Sequence, residues 1–356
     1  VTDAHPDPLL ERILTTLARD LPGTGPGGQR WVLAAEPMRT ARSTLYTVED
    51  PSSGTAYVVK VPARGDDAVD TEPPLDATAQ FAALHRAYGW HRDGGDAPVS
   101  RPVALLESVG AVVMEHVPGP TVGRAVHRAP LHPRVASRAV VAAGRYLRRF
   151  HRHAEEPGGM VSLHDLVQDV VAAERELLVP VGVRLPGTVH SALAETPDIA
   201  VPVGRVLLHG DYVPHNLVLS DPHHVTMLDP LLRRVGLPED DVARFLAIVS
   251  SDTAFVPGML APPLRWLRRH LEARFRRAYG RTTAPSAVLE LRLVHQHVLR
   301  WRRRRDFSTL TRYPVLMEAR ARLVDRHMRT VLRESGRRLS GALATVRPAA
   351  GRQTAG

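Results

Sequence analysis

Cysteine is absent from this 356-residue chain, which excludes disulfides and thiolate metal sites and permits a reducing compartment. Long apolar runs are absent too: no stretch reaches the roughly 18 uninterrupted apolar residues of a membrane span. Residues 1–20, VTDAHPDPLLERILTTLARD, hold no basic segment leading into an apolar one, so no export leader is expected and the cytoplasm is the expected location. No internal repeat is visible. Lysine is nearly absent: of 47 basic residues one is lysine, Lys60 in TAYVVKVPA. A guanidinium is a planar fork, whereas an ammonium is a compact charge on a slim stem that can enter a narrow apolar slot and meet phosphate oxygens as a point charge. One lysine kept against that background marks a site that arginine cannot fill.

With 44% hydrophobic residues the chain can bury a sizeable core, and its length suffices for two lobes. Its formal charge of +10 is local, since residues 1–260 sum to −7 and residues 261–330 to +13. In the basic stretch Arg265, Arg268, Arg269, Arg274, Arg276 and Arg277 surround Leu264, Leu267, Leu271 and Phe275 at helical spacing. This predicts an amphipathic helix over 264–279 with a solvated arginine face. Arg302 to Arg305 after Trp301 form a second cluster. Both could attract phosphates or an acidic membrane surface. Nucleic acid is not an expected partner, because the clusters lack aromatic interleaving and a recognised binding module.

Residues 31–36, 43–49 and 55–61 are short runs rich in Val, Tyr and Thr, separated by turn-prone PMRTAR and DPSSG, and read as antiparallel strands. A helix over 75–88 and strands at 102–108 and 111–117 complete a five-stranded sheet with one helix inserted. Beyond Pro120 the pattern turns helical, with Ala136, Val140, Ala143, Leu147 and Phe150 on one face and 163–177 in the same style. Short strands at 206–208, 217–219 and 225–228 bracket two loops. The stretch from 341 to 356 is small and polar, and is expected to be disordered.

The first of those loops lies in LLHGDYVPHNLVLSD, from Leu207 to Asp221, where an apolar strand stops at His-Gly-Asp and an asparagine follows five residues after the acid. Thirteen residues beyond Asn216, Asp229 ends another strand in MLDP. In order and spacing, YVVKV, MEHVPGP, HGDYVPHN, MLDP and GLPEDDVARF together resemble the aminoglycoside phosphotransferase and kinase-like family over roughly residues 30–330. That resemblance implies an α+β, bilobal protein-kinase-like fold. A helical extension at 1–29 would precede a small antiparallel β-sheet N-lobe with one helix at 30–117, whose hinge lies at 114–119. A larger, mainly α-helical C-lobe would occupy 118–340.

The resemblance also implies a small-molecule kinase that moves the γ-phosphate of ATP or GTP, with Mg²⁺, to a hydroxyl of an aminoglycoside, a nucleoside antibiotic or another sugar-like acceptor, in antibiotic resistance or biosynthesis. Asp211 would be the catalytic base toward the acceptor hydroxyl, with Asn216 and Asp229 on the metal and Lys60 on the phosphates. Backbone at Glu115 to Val117 would hold the purine edge. His209 and Asp241 would support the loop. Three departures accompany the match. No Gly-rich loop follows the first strand, so a turn from Thr40 to Ser43, with the Ser43 hydroxyl, takes that place. Gln80, with Asp76 one turn earlier, stands where a glutamate usually holds the lysine. Pro230 follows Asp229 where an aromatic is usual. A kinase-like binding protein without catalysis, recruiting a ligand or partner, is the alternative these departures raise. Acidic groups at Asp165, Asp169, Glu174, Glu176 and Glu239 to Asp241 would suit a cationic acceptor, whereas arginines of 261–330 facing the cleft would suit an anionic or neutral one.

Overall fold

The computed structural model describes residues 7–21, 31–40, 43–63, 75–94, 98–221, 223–259, 261–306 and 314–346. Two compact units emerge, one of Val1–Gly119 with Thr226–Leu231, the other of Pro120–Val225 with Leu232–Gly356.

The first unit opens with α1 (Pro8–Asp20), where Asp7 accepts the Leu9 N–H at 3.0 Å as N-cap and proline fills the first turn. Strands β1 (Val32–Leu33), β2 (Met38–Arg39), β3 (Ser43–Asp50) and β4 (Thr55–Pro62) follow, then α2 (Ala77–Gly94), β5 (Pro102–Leu106) and β6 (Ala111–Glu115). The sheet runs β1-β3-β4-β6-β5, with β2 also on β3. Of the strand expected at 31–36 only Val32–Leu33 forms, and β2 lies in PMRTAR, the stretch read as turn-prone. Pro37 has no N–H for the ladder and lies where the run breaks. The β3–β4 turn is tied by Asp50, which accepts from the Ser52 and Ser53 hydroxyls at 2.6 and 2.8 Å, and Gly54 supplies the positive φ of 67°. One face of the sheet buries Tyr46, Val48, Val59, Ala111 and Val113 against Ile13 and Leu17, so α1 belongs to the core of this unit.

The second unit contains α3 (Val122–His127), α4 (Pro133–His153), β7 (Glu155–Ser162), α5 (Leu163–Ala173), α6 (Gly187–Ala194), β8 (Ala200–Leu207) and β9 (Leu217–Leu219). After β10 (Val225–Met227) come β11 (Val235–Gly236), α7 (Pro238–Ser250), α8 (Pro262–Tyr279), α9 (Ser286–Asp306) and α10 (Pro314–Ala344). The face predicted for α4 is fully buried. Gly144 lets α8 approach closely, because a Cβ there would lie 2.7 Å from the Phe275 carbonyl. Sequence periodicity does not anticipate β7, which pairs with β8 through Glu155↔Val206 to Ser162↔Ala200 and carries Pro157, Gly158 and Gly159 at a register shift. The helix expected over 163–177 ends at Ala173 and continues as a wider turn through Leu178. A second core gathers α5, α6, α9 and α10 around the fully buried Trp301. Helix α10 extends past the start expected for a polar tail, because Ala342 and Leu343 belong to that core; residues 347–356 lie outside the described residues.

The basic helix is not solvated all round. Arg268, 2% exposed, pairs with Glu272 and Glu334, and Arg269 reaches the other Glu334 oxygen at 2.6 Å. Buried guanidinium and carboxylates compensate each other, so the burial is sustainable. No helix of the described residues is long and apolar enough to cross a membrane.

Candidate active site

Strand β4 carries Lys60 in register with Leu45 of β3 and Val112 of β6, so its stem leaves the middle of the sheet. The side chain is 8% exposed and its ammonium pairs with Asp229. Asp229 has φ of 52°, a left-handed conformation uncommon for a residue with a side chain. The segment is fixed by β-bridging of Met227 to Val99 and by the Ser100 N–H donating to the Met227 carbonyl at 2.9 Å. An uncommon backbone conformation carrying the sole lysine's partner is the pattern expected where local strain serves a site.

Other nucleotide-site candidates in this unit are placed as follows. Gln80 is buried and donates through Nε2 to the Leu75 carbonyl at 2.8 Å, so Lys60 has Asp229 and not Gln80 as its partner. Asp76 caps α2 by accepting the Ala79 N–H at 2.7 Å. Thr40 and Ser43 hold one another, with hydroxyls 3.1 Å apart and the Ser43 N–H donating to Thr40 Oγ1 at 3.0 Å; residues 41–42 lie outside the described residues. At the end of β6 the Glu115 N–H donates to Arg101 and its carbonyl accepts the Ser100 hydroxyl at 2.8 Å. The Val117 N–H has no partner among the described residues, and the Glu115 carbonyl keeps a second lone pair.

In the second unit β8 delivers the chain into the loop at 208–216. Gly210 turns it with φ of 81°, and a 3-10 turn at Pro214–Asn216 closes it. Asp241 of α7 anchors the entry: Oδ2 accepts the His209 N–H at 2.9 Å and Oδ1 the Gly210 N–H at 3.1 Å. His151 of α4 joins Asp241 Oδ2 to the Tyr279 hydroxyl of α8 at 3.1 and 2.8 Å. Burial pushes the Tyr279 phenol up, so it stays protonated and donates to Nδ1, which leaves Nε2–H to donate to Asp241. Burial acts to raise the Asp241 carboxyl, but the hydrogen bonds from His151 and from the His209 N–H hold it below the ordinary value. The His209 ring accepts the Asp211 N–H at 3.2 Å and meets Tyr212 edge-on, and the Tyr212 hydroxyl donates to the Ala143 carbonyl at 2.7 Å.

Asp211 itself is held at both oxygens. Asn216 Nδ2 donates to its Oδ2 at 3.1 Å and to its carbonyl at 3.0 Å, while Arg244 Nη1 donates to Oδ1 at 2.7 Å. The spacing of five residues therefore does bring acid and amide together. Sequence reasoning missed Arg244, whose one signal is its place on the same helix as Asp241, three residues on. His151 was missed as well. With its amide nitrogen spent on Asp211, Asn216 keeps its oxygen as a neutral donor, and in the other unit Asp229 carries a carboxylate; each by itself is an oxygen donor of the kind a hard cation takes. Among the described residues no group of three or more His, Cys, Asp or Glu is placed to hold a metal. Magnesium usually takes one or two carboxylates and completes its shell with phosphates and water, so few protein donors are needed for it.

A family model described as the phosphotransferase enzyme family, APH, matches residues 39–291. No curated protein is matched by the chain. Among solved structures, a choline/ethanolamine kinase family protein from Mesorhizobium loti has 16% identity and a TM-score of 0.52, covering 95% of this chain and 99% of that one. Choline kinase from Cryptosporidium parvum Iowa II has 10% identity and a TM-score of 0.50, covering 94% and 99%. An aminoglycoside-3'-phosphotransferase of type VIII is 21% identical, covering 81% of this chain and 98% of that one, with a TM-score of 0.44. The first two likenesses show a kinase-like α+β fold, as the sequence implied.

Proposed function

Because this chain belongs to the phosphotransferase enzyme family, we propose that it is a small-molecule kinase that moves the γ-phosphoryl group of ATP or GTP to an acceptor hydroxyl in the cytoplasm, where both nucleotides are supplied. The observation that carries the reading is Asp211, a carboxylate fixed at one oxygen by Arg244 and at the other by Asn216. Each oxygen keeps a lone pair, so Asp211 can accept a hydrogen bond from the acceptor hydroxyl and align its oxygen for attack. As the bond from phosphorus to the nucleotide's bridging oxygen breaks and the bond to the acceptor oxygen forms, the hydroxyl proton passes late to Asp211. Lys60 exchanges Asp229 for phosphate oxygens. The backbone of Glu115 and Val117 meets the purine, and Ser43 and Gln80 border the nucleotide. Asn216 and Asp229 would hold Mg²⁺, which neutralises phosphate charge during transfer. His209 and Asp241 position the loop without touching substrate.

The test is thermal unfolding with ATP or GTP, each with and without Mg²⁺, on wild type and Asp229→Ala. A ligand that binds the native state alone raises the melting temperature in proportion to ln(1 + [L]/Kd), whatever the acceptor. The reading expects a Mg²⁺-dependent shift that the variant loses. No shift with either nucleotide at millimolar concentration would overturn it in favour of a binding protein without catalysis.

A further inference from the structure

Helix α9 carries two arginines beside the loop. Arg300 and Arg304 lie one turn apart on that helix, on neighbouring positions of one face. Both are half-buried. Arg300 donates through Nε to the Ser251 hydroxyl at 3.3 Å, and its two terminal nitrogens have no partner among the described residues. Arg304 has none at all among them, and its Nε is enclosed without an acceptor. The carboxylate that acts electrostatically on both is Asp252, but it forms no ion pair with either. Its Oδ1 is taken by His127 Nδ1 at 3.0 Å and by the Ala254 N–H at 2.9 Å. Burial and the neighbouring guanidinium together push Arg300 down to about 10.

This cluster abuts the loop through His215, the residue before Asn216. Asp252, Arg300, Arg304 and His127 all act electrostatically on its ring. The ring also packs on Gly123 of α3 so closely that a Cβ there would lie 2.3 Å from Nδ1. The contrast is with the basic helix α8, where Arg268, Arg269 and Arg276 each have a glutamate partner. A cavity of about 560 Å³ beside α8 and α10 is also rich in arginine, of which Arg268 and Arg322 are paired, but none of its lining residues belongs to the loop that carries Asp211. Two half-enclosed guanidiniums facing one carboxylate, already engaged at Oδ1, leave a positive charge that this carboxylate does not balance, and enclosed charge is costly unless something pairs it.

We propose that the acceptor carries an oxyanion, a carboxylate or a phosphate, received by the Arg300 and Arg304 forks while its hydroxyl faces Asp211. This rests on the phosphotransferase reading and narrows it: polycationic acceptors are disfavoured, and hydroxy acids or phosphorylated sugars are the expected class. A fork of N–H donors matches either anion bidentately, and the hydrogen bonds are charge-assisted.

The test uses the full chain saturated with AMP-PNP and Mg²⁺, so that donor-phosphate contacts are occupied, and titrates inorganic phosphate and, separately, succinate by calorimetry into wild type, Arg300→Gln and Arg304→Gln. The expected result is binding of one or both probes to wild type, weakened on the order of tenfold or more in each variant. Which probe binds more tightly separates phosphate from carboxylate. A melting curve in anion-free buffer guards against misfolding: Arg304→Gln should melt no lower than wild type, because it removes an unbalanced charge. Equal binding by wild type and variants, or no binding of either probe to wild type, overturns the proposal. The thermal shift produced by AMP-PNP and Mg²⁺ reports separately on the phosphotransferase reading, which can fail while phosphate or succinate still binds, or stand while neither does.

Discussion

Asp241→Asn is expected to lower the stability of the unit containing the loop by about 2–4 kcal/mol at neutral pH. The wild-type carboxylate accepts from the His209 N–H, the Gly210 N–H and His151, on two oxygens. An amide has one oxygen. Turned to serve His209 and His151, it presents its NH₂ to the Gly210 N–H, donor against donor; turned the other way, it abandons the first pair. One charge-assisted hydrogen bond, about 1.5–3 kcal/mol, is lost outright and the other is weakened by loss of charge. The sign of the pH dependence follows from the direction of the pKa. Folding lowers the Asp241 carboxyl below its unfolded value of 3.8, so its contribution is fully present above that pH and is lost as pH falls through the lower folded value. Urea unfolding of both proteins from about pH 7 down to about pH 3 measures the difference directly. It should be constant down to about pH 4 and shrink below, as the protonated acid comes to resemble the amide. A neutral-pH difference under about 0.5 kcal/mol, or one that does not shrink in acid, would refute the assignment of Asp241 as the anchor of the loop.

Asp229→Ala strands the Lys60 ammonium, and in nucleotide-free buffer should cost about 3–5 kcal/mol by denaturant unfolding, with Lys60→Met in the same chain restoring much of it. Arg244→Gln should lower kcat more than it changes nucleotide Kd, because it releases from one side the carboxylate proposed to face the acceptor; comparing the two quantities once an acceptor is found checks this. Gly210→Ala forces a side chain into φ of 81° and should cost about 1–2 kcal/mol, read by the same unfolding assay. Arg268→Met should destabilise by about 3–5 kcal/mol, since Glu272 and Glu334 lose a shared partner, and changing both glutamates to glutamine as well should recover part of the loss.

The loop was legible because its chemistry interrupts a pattern: apolar β8 stops at His209, and polar residues follow at fixed spacing. Lys60 stood out against a background of arginine, and α4 announced itself through a buried face at helical period. What stayed hidden depended on distance along the chain. Arg244 looks like any other arginine until α7 brings it to Asp211, and His151 is one of two histidines in the last turn of α4 until Asp241 arrives from 90 residues away. Arg268 read as solvated because its glutamate partner at 334 is 66 positions distant. Strand β7 escaped notice since Pro157, Gly158 and Gly159 carry no alternation, and its pairing comes wholly from β8.

The knot of Tyr279, His151, Asp241 and the amides of His209 and Gly210 also bears on how the chain reaches its native state. Its contacts close intervals of 128, 90, 32 and 31 residues. Long intervals are entropically slow to close, and the knot is not complete until α4, α7 and α8 have all docked. The short loop can therefore take its final geometry only at the end of folding of this unit. A nascent or misassembled chain would possess its helices before it possessed a geometrically competent Asp211, so turnover, more than helical content, would report that folding had finished.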